Sequence, residues 1–132
     1  MDADRKRQWL LLGVCTLSAV LVAATITAWC LRSAIPNIDA AAAEQLTDAA
    51  DQLSEHSDAF IPKAVWPDAI SKLSPKSVRV TKNGVYVELR SFFVTQEGLF
   101  LLPTDSSFQP QVRGDPSYRQ LRQRVYWYEI KG

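Results

Sequence analysis

Between Trp9 and Leu31 the stretch WLLLGVCTLSAVLVAATITAWCL carries no charged residue, and no other feature of the chain restricts its folding as strongly. As one helix this run would reach about 35 Å at ~1.5 Å per residue, more than the ~30 Å hydrocarbon core of a bilayer. Inside lipid every backbone amide and carbonyl must be bonded within the segment, so a single span has to be helical. Trp9 and Trp29 fall where interfacial aromatics sit. A core helix of a globular protein is ordinarily shorter and bears a polar stripe. A cleaved export signal has an apolar region of about 7–15 residues before a small-residue cleavage site. Here the run is longer and ends Trp29-Cys30-Leu31-Arg32. The sequence therefore predicts a tail at 1–8, a retained transmembrane helix acting as a signal anchor at 9–31, a linker at 32–36 and a folded domain at 37–132. Arg5, Lys6 and Arg7 precede the run and only Arg32 closely follows it. The positive-inside rule then keeps the N-terminus in the cytoplasm. For a bacterial chain, the expected location is the inner membrane, single-pass, with the C-terminal domain in the periplasm.

Pro36 interrupts any continuous helix after the run. Asn37 or Asp39 can cap a new helix, in which Ala42, Leu46, Ala49, Leu53 and Phe60 recur at spacings close to one face. That stripe can pack on the domain's own sheet or pair with another helix. From Ser77 the period changes to two: SVRVTK and VYVELRSFFV flank Asn83-Gly84, a strong hairpin signal. Glu97-Gly98 reads as the next turn, Leu99 to Pro103 as a third strand and Val125 to Ile130 as the last. In that last strand Val125, Trp127 and Glu129 share one face, and Tyr126, Tyr128 and Ile130 the other. The two tyrosines, which tolerate a wet rim, are expected to be the exposed pair. Between the third and last strands lies a long polar loop rich in Ser, Gln and Pro, a reasonable place for function. The fold class expected is α+β: a single transmembrane helix, then an amphipathic helix on a small antiparallel sheet of about four strands.

Chemistry in the domain is sparse. Both cysteines, Cys15 and Cys30, belong to the apolar run or its edge, so the domain has no thiol for a disulfide or a metal. His56 is the lone histidine, and no nucleotide-binding or metal-ligand spacing occurs. No cofactor is expected. Basic and acidic residues balance over 32–132, so no global field recommends nucleic acid. Positive charge does gather beside aromatics near the end of the chain. Arg113, Tyr118, Arg119, Arg122, Arg124, Tyr126 and Tyr128 are candidates for a partner-binding surface, the arginines meeting either an acidic partner or the domain's own acidic helix. Within the apolar run, Cys15, Ala19, Ala23 and Thr27 recur every four residues, a small-residue ridge along which membrane helices can associate, giving a homo-oligomer.

The stretches WPDAI, NGVYVELRSFFV, GDPSYRQL and VYWYEIKG together resemble a group of short bacterial proteins ending in a GDPSYxxL…YWYxIxG-like pattern, over about residues 60–132. The resemblance implies a single bacterial domain and carries over no activity and no site. The order of apolar run, helix and sheet is also similar to type IV pilins, but the processing glycine and early glutamate of a prepilin are missing around Arg7-Gln8-Trp9. The function expected is a non-enzymatic membrane-anchored protein that binds a protein partner, with an immunity or inhibitor role as one form; the lipid bilayer is its other partner. The alternatives are a small structural subunit of an envelope complex, and an envelope hydrolase using Glu88 or Asp115.

Overall fold

A computed structural model describes residues 18–24, 34–56 and 58–132. The chain divides into two compact units, Met1–Pro36 and Asn37–Gly132. In the first, residues 18–24 are helical and exposed. Among the described residues no helix is long and apolar enough to cross a membrane. This corrects the expected transmembrane helix at 9–31, and with it the single-pass, signal-anchored inner-membrane location and the periplasmic placement of the domain. Hydropathy registers how apolar a run is, whereas a span also needs some 20 continuous helical residues. Trp9, Cys15, Thr27 and Trp29 lie outside the described residues.

The second unit is built on six antiparallel strands, not about four. They are β1 (Ala59–Phe60), β2 (Ser77–Thr81), β3 (Gly84–Phe92), β4 (Thr95–Leu101), β5 (Ser117–Arg122) and β6 (Val125–Lys131), in the order β1-β2-β3-β4-β6-β5. The two strands missed by sequence are the two edges. β1 has two residues and no periodicity to read. β5, SYRQLR, turns polar side chains to solvent and breaks its register at a bulge between Gln120 and Arg122.

Helix α1 (Ala40–Leu53) precedes the sheet, and a single helical turn, α2 (Asp68–Ser71), follows β1. Asp39 caps α1, its carboxylate accepting from the Ala42 amide at 2.7 Å. The apolar stripe of α1 buries Ala43, Leu46, Ala49, Ala50 and Leu53. It ends there: Phe60, expected on the stripe, lies in β1 with its ring exposed.

Strand register sorts the sheet's side chains into two chemistries. One face is aliphatic: Val78 and Val80 of β2 pair with Val87 and Val85 of β3, which meet Leu99 and Leu101 of β4, then Trp127 and Val125 of β6. The other is aromatic, with Tyr86, Phe100, Tyr118 and Tyr128 forming one buried cluster and Leu102, Phe108, Tyr126 and Ile130 at its margin. No residue of α1 belongs to that cluster, and α1 lies against β3, β4 and β6, so it covers the aliphatic face.

Topology covers the aromatic face. β6 lies between β4 and β5, so residues 102–116 must pass β6 to reach the far edge. That crossing places Phe108 edge-on to Phe100 and Tyr118, with centroids 5.6 and 5.7 Å apart. The loop is stitched down along its length. Thr104 bonds Asp51, the Ser106 hydroxyl donates to the Asn83 carbonyl, Gln111 accepts from the Tyr118 amide, and Asp115 accepts from the Lys131 amide.

Gly98, expected in a turn, sits inside β4 opposite a bulge at Leu89 that shifts the β3–β4 register between Glu88 and Arg90. A side chain there would meet the Val87 carbonyl oxygen at 2.0 Å. Close backbone approach at a bulge is the other reason for glycine in a strand, and here it prevails.

Candidate functional site

The basic and aromatic residues near the end of the chain do not form one surface. Tyr118 and Tyr128 are core residues, 5% and 1% exposed. The Tyr118 hydroxyl lies 2.5 Å from that of Tyr86, and Tyr128 packs edge-on to Tyr86 at 5.0 Å. Burial, followed by the bond to Tyr86, raises the Tyr118 phenol well above its ordinary value; burial, followed by the charge of Glu88, does the same for Tyr128. Both stay neutral at any physiological pH. The expectation that Tyr128 faces solvent is thus corrected: its partner residue Tyr118 on β5 and the crossing loop enclose that side of β6. Tyr126 is half-buried at the margin, 6.4 Å from the Phe100 ring.

The arginines divide in the same way. Arg122 donates from Nε to the Ile38 carbonyl at 2.9 Å, fixing the entry to α1. Arg124, in the β5–β6 turn with φ of 65°, donates from Nε to the Leu102 carbonyl at 2.8 Å and from a terminal nitrogen to Asp51 at 2.7 Å. Asp51 also accepts from the Thr104 amide and hydroxyl at 2.8 and 2.9 Å. Helix, crossing loop and turn therefore meet on one carboxylate. Partial burial alone would raise the Asp51 pKa, but the bonds from Thr104 and Arg124 outweigh it and hold the group below its ordinary value of 3.8. Arg113 on the loop and Arg119 on β5 are exposed. Of the small-residue ridge, Ala19 and Ala23 lie on the exposed helical stretch 18–24, while Cys15 and Thr27 are outside the described residues.

The carboxylates considered for hydrolysis hold structural bonds. Glu88 accepts from the Ser77 hydroxyl at 2.6 Å, and Asp115 from the Lys131 amide at 2.9 Å. His56 is exposed just past the end of α1. Among the described residues, no group of three or more His, Cys, Asp or Glu side chains could hold a metal ion.

The most unusual surface feature is the apex of the β3–β4 hairpin. β3 ends at Phe92 and β4 begins at Thr95, leaving Phe93 and Val94 as the turn. Such two-residue turns call for positive φ and are usually built from Gly, Asn or Asp. Phe93 adopts φ of 52°, a conformation costing a residue with a side chain roughly 1–2 kcal/mol. Its ring gains little burial in return: Phe92, Phe93 and Val94 are 74%, 91% and 64% exposed. The two phenyl rings stand edge to face, with centroids 4.6 Å apart.

The base of the apex is firmly tied. The Lys76 ammonium donates to the Ser91 carbonyl and hydroxyl at 3.3 and 3.0 Å, and the Gly132 amide donates to the Val94 carbonyl at 3.3 Å. Arg90 pairs with Glu97 at 3.0 Å and stacks over the Trp127 ring at 4.9 Å. Lys131 pairs with Glu129 at 3.6 Å. Sequence reasoning missed this site because it placed SFFV within a continuing strand and the turn at Gly98. No residue in SFFV signals a turn, whereas Gly98 does, so the bend in the run from Val85 to Leu102 was assigned to the glycine.

No protein-family model, no curated protein and no solved structure matches the chain.

Proposed function

We propose that residues 37–132 form a non-enzymatic protein-binding domain whose contact element is the β3–β4 apex. The observation that carries this reading is the exposure of three consecutive large apolar residues at a turn whose backbone does not favour them. A sheet gains nothing from a phenylalanine in that position, whereas an interface draws most of its energy from a few aromatic anchors. The carboxylates that would serve a hydrolase are engaged in holding strands and loop together, which supports a binding role over a chemical one. Lysine-reactive crosslinking in cells, followed by mass spectrometry, tests the reading. A specific neighbouring protein is expected; a chain that captures none under several growth conditions overturns it.

A further inference from the structure

We infer that the apex is a preformed two-ring plug for an apolar socket on another folded protein, a socket whose rim carries both signs of charge. This inference rests on the protein-binding reading and specifies the partner's chemistry. Rigidity is the first argument. The turn has only two residues, the rings of Phe92 and Phe93 brace each other edge to face, and both flanks are bonded, through Lys76 to Ser91 and through Gly132 to Val94. A fixed shape reduces the ordering cost of entering a cavity of matching form. A bilayer imposes no such form.

Charge around the base is the second argument. Arg90 stands beside Glu97 and Lys131 beside Glu129, with Lys76 bonded to Ser91. Attraction to an anionic lipid surface grows with clustered, uncompensated cations. In this collar two of the three cations are paired with carboxylates instead. An aromatic centre within a mixed polar rim is the anatomy of a protein–protein contact.

Shape supplies the third argument. A hairpin turn is convex, so two copies meeting apex to apex would leave the flanks of Phe92, Phe93 and Val94 in water. A partner that surrounds the hairpin encloses all three.

The test uses the full chain in cells with a photoreactive amino acid at Gln96, an exposed position on β4 beside the apex, and a control at Val112, exposed on the crossing loop. The variant Phe93→Gly removes the ring while suiting the φ of 52°, so the fold is retained. The Gln96 probe is expected to join one discrete protein at a peptide lining an apolar pocket with acidic and basic neighbours. The Val112 probe should not, and Phe93→Gly should cut the Gln96 yield by at least about tenfold. A yield that survives Phe93→Gly overturns the inference, as does a Gln96 crosslink to a second copy of the chain. Phe93-dependent binding to vesicles of phosphatidylglycerol in phosphatidylcholine, without a protein crosslink, overturns it in favour of lipid. If lysine-reactive crosslinking captures a neighbour while the Gln96 probe stays silent, protein binding stands and the plug falls; if neither captures anything, both fall.

Discussion

Replacing Gly98 with alanine separates two readings of this glycine by the sign of the result. Gly98 is not among the residues with positive φ, so alanine is compatible with its backbone. In an exposed turn the substitution would then stabilise the chain by about 0.4–1 kcal/mol, through the unfolded state. In the β4 position the added methyl would lie 2.0 Å from the Val87 carbonyl oxygen and 2.9 Å from the Leu89 amide nitrogen, both backbone atoms that no rotamer change can move. Relief requires β3 and β4 to part by more than about 1 Å beside the bulge, among Val87, Leu99 and Phe100, which are fully buried. Overpacking of this kind costs about 1–3 kcal/mol, and disturbing one or two ladder bonds adds about 1 kcal/mol each. The expected loss for Gly98→Ala is therefore about 3 kcal/mol, or roughly 12–24 °C in Tm for a domain of this size. Urea unfolding of the full chain followed by tryptophan fluorescence measures it, since Trp127 pairs with Leu99 one residue along β4. A loss below about 1 kcal/mol, or any gain, refutes the close approach at the bulge.

Asp51→Ala should cost about 1–2 kcal/mol, because it removes three hydrogen bonds from a carboxylate that solvent still partly reaches. The folded-state pKa of Asp51 is depressed, so its contribution is present above the ordinary carboxylate value and is lost as pH falls through the folded-state pKa. Acid titration of stability should thus run less steeply in Asp51→Ala than in the parent. Tyr118→Phe leaves the buried Tyr86 hydroxyl without its partner and should cost about 1–2 kcal/mol, whereas the double change with Tyr86→Phe should recover part of that loss in a double-mutant cycle. The raised phenol pKa values of Tyr118 and Tyr128 contribute stability that is complete below about pH 10 and fades as pH rises beyond it, so ultraviolet titration should show phenolate appearing together with unfolding. Phe93→Gly should change stability by no more than about 0.5 kcal/mol in thermal unfolding of the isolated chain, against about 3–5 kcal/mol for Phe100→Ala, because relief of a left-handed φ offsets the added freedom of the unfolded chain.

Where sequence pattern and fold agree, the cause is a strict two-residue period. Val78 and Val80 against Val85 and Val87, with a turn near Asn83-Gly84, fix the β2–β3 pairing before any tertiary contact is known. The three- and four-residue spacing of Leu46, Ala49 and Leu53 marks α1 in the same way. Where they part, pattern is silent or ambiguous. β1 is too short to have a period. Glycine in an apolar run stands equally for a turn or a bulge, and only the neighbouring backbone of Val87 and Leu89 decides for Gly98. An apolar run measures hydropathy alone, and among the described residues no helix is long and apolar enough to cross a membrane.

The candidate site was hidden for a related reason. Loop composition drew attention to residues 104–116, whose Pro, Ser and Gln read as a mobile functional segment. Yet the topology obliges that segment to cross the aromatic face, and Asp51, Asn83, Tyr118 and Lys131 each hold it there. Ser106 and Asp115 bond backbone, Thr104 bonds the Asp51 carboxylate and Phe108 completes a core, so the composition reflects the crossing. The apex shows the converse. Phe93 and Val94 have strand-like composition but occupy a turn, and the fold gains little burial from them or from Phe92. When local chemistry opposes local structure and the fold does not explain the conflict, the explanation lies with whatever the surface meets. That is why Phe93, and not the arginine-rich strand, is the residue on which a binding experiment should turn.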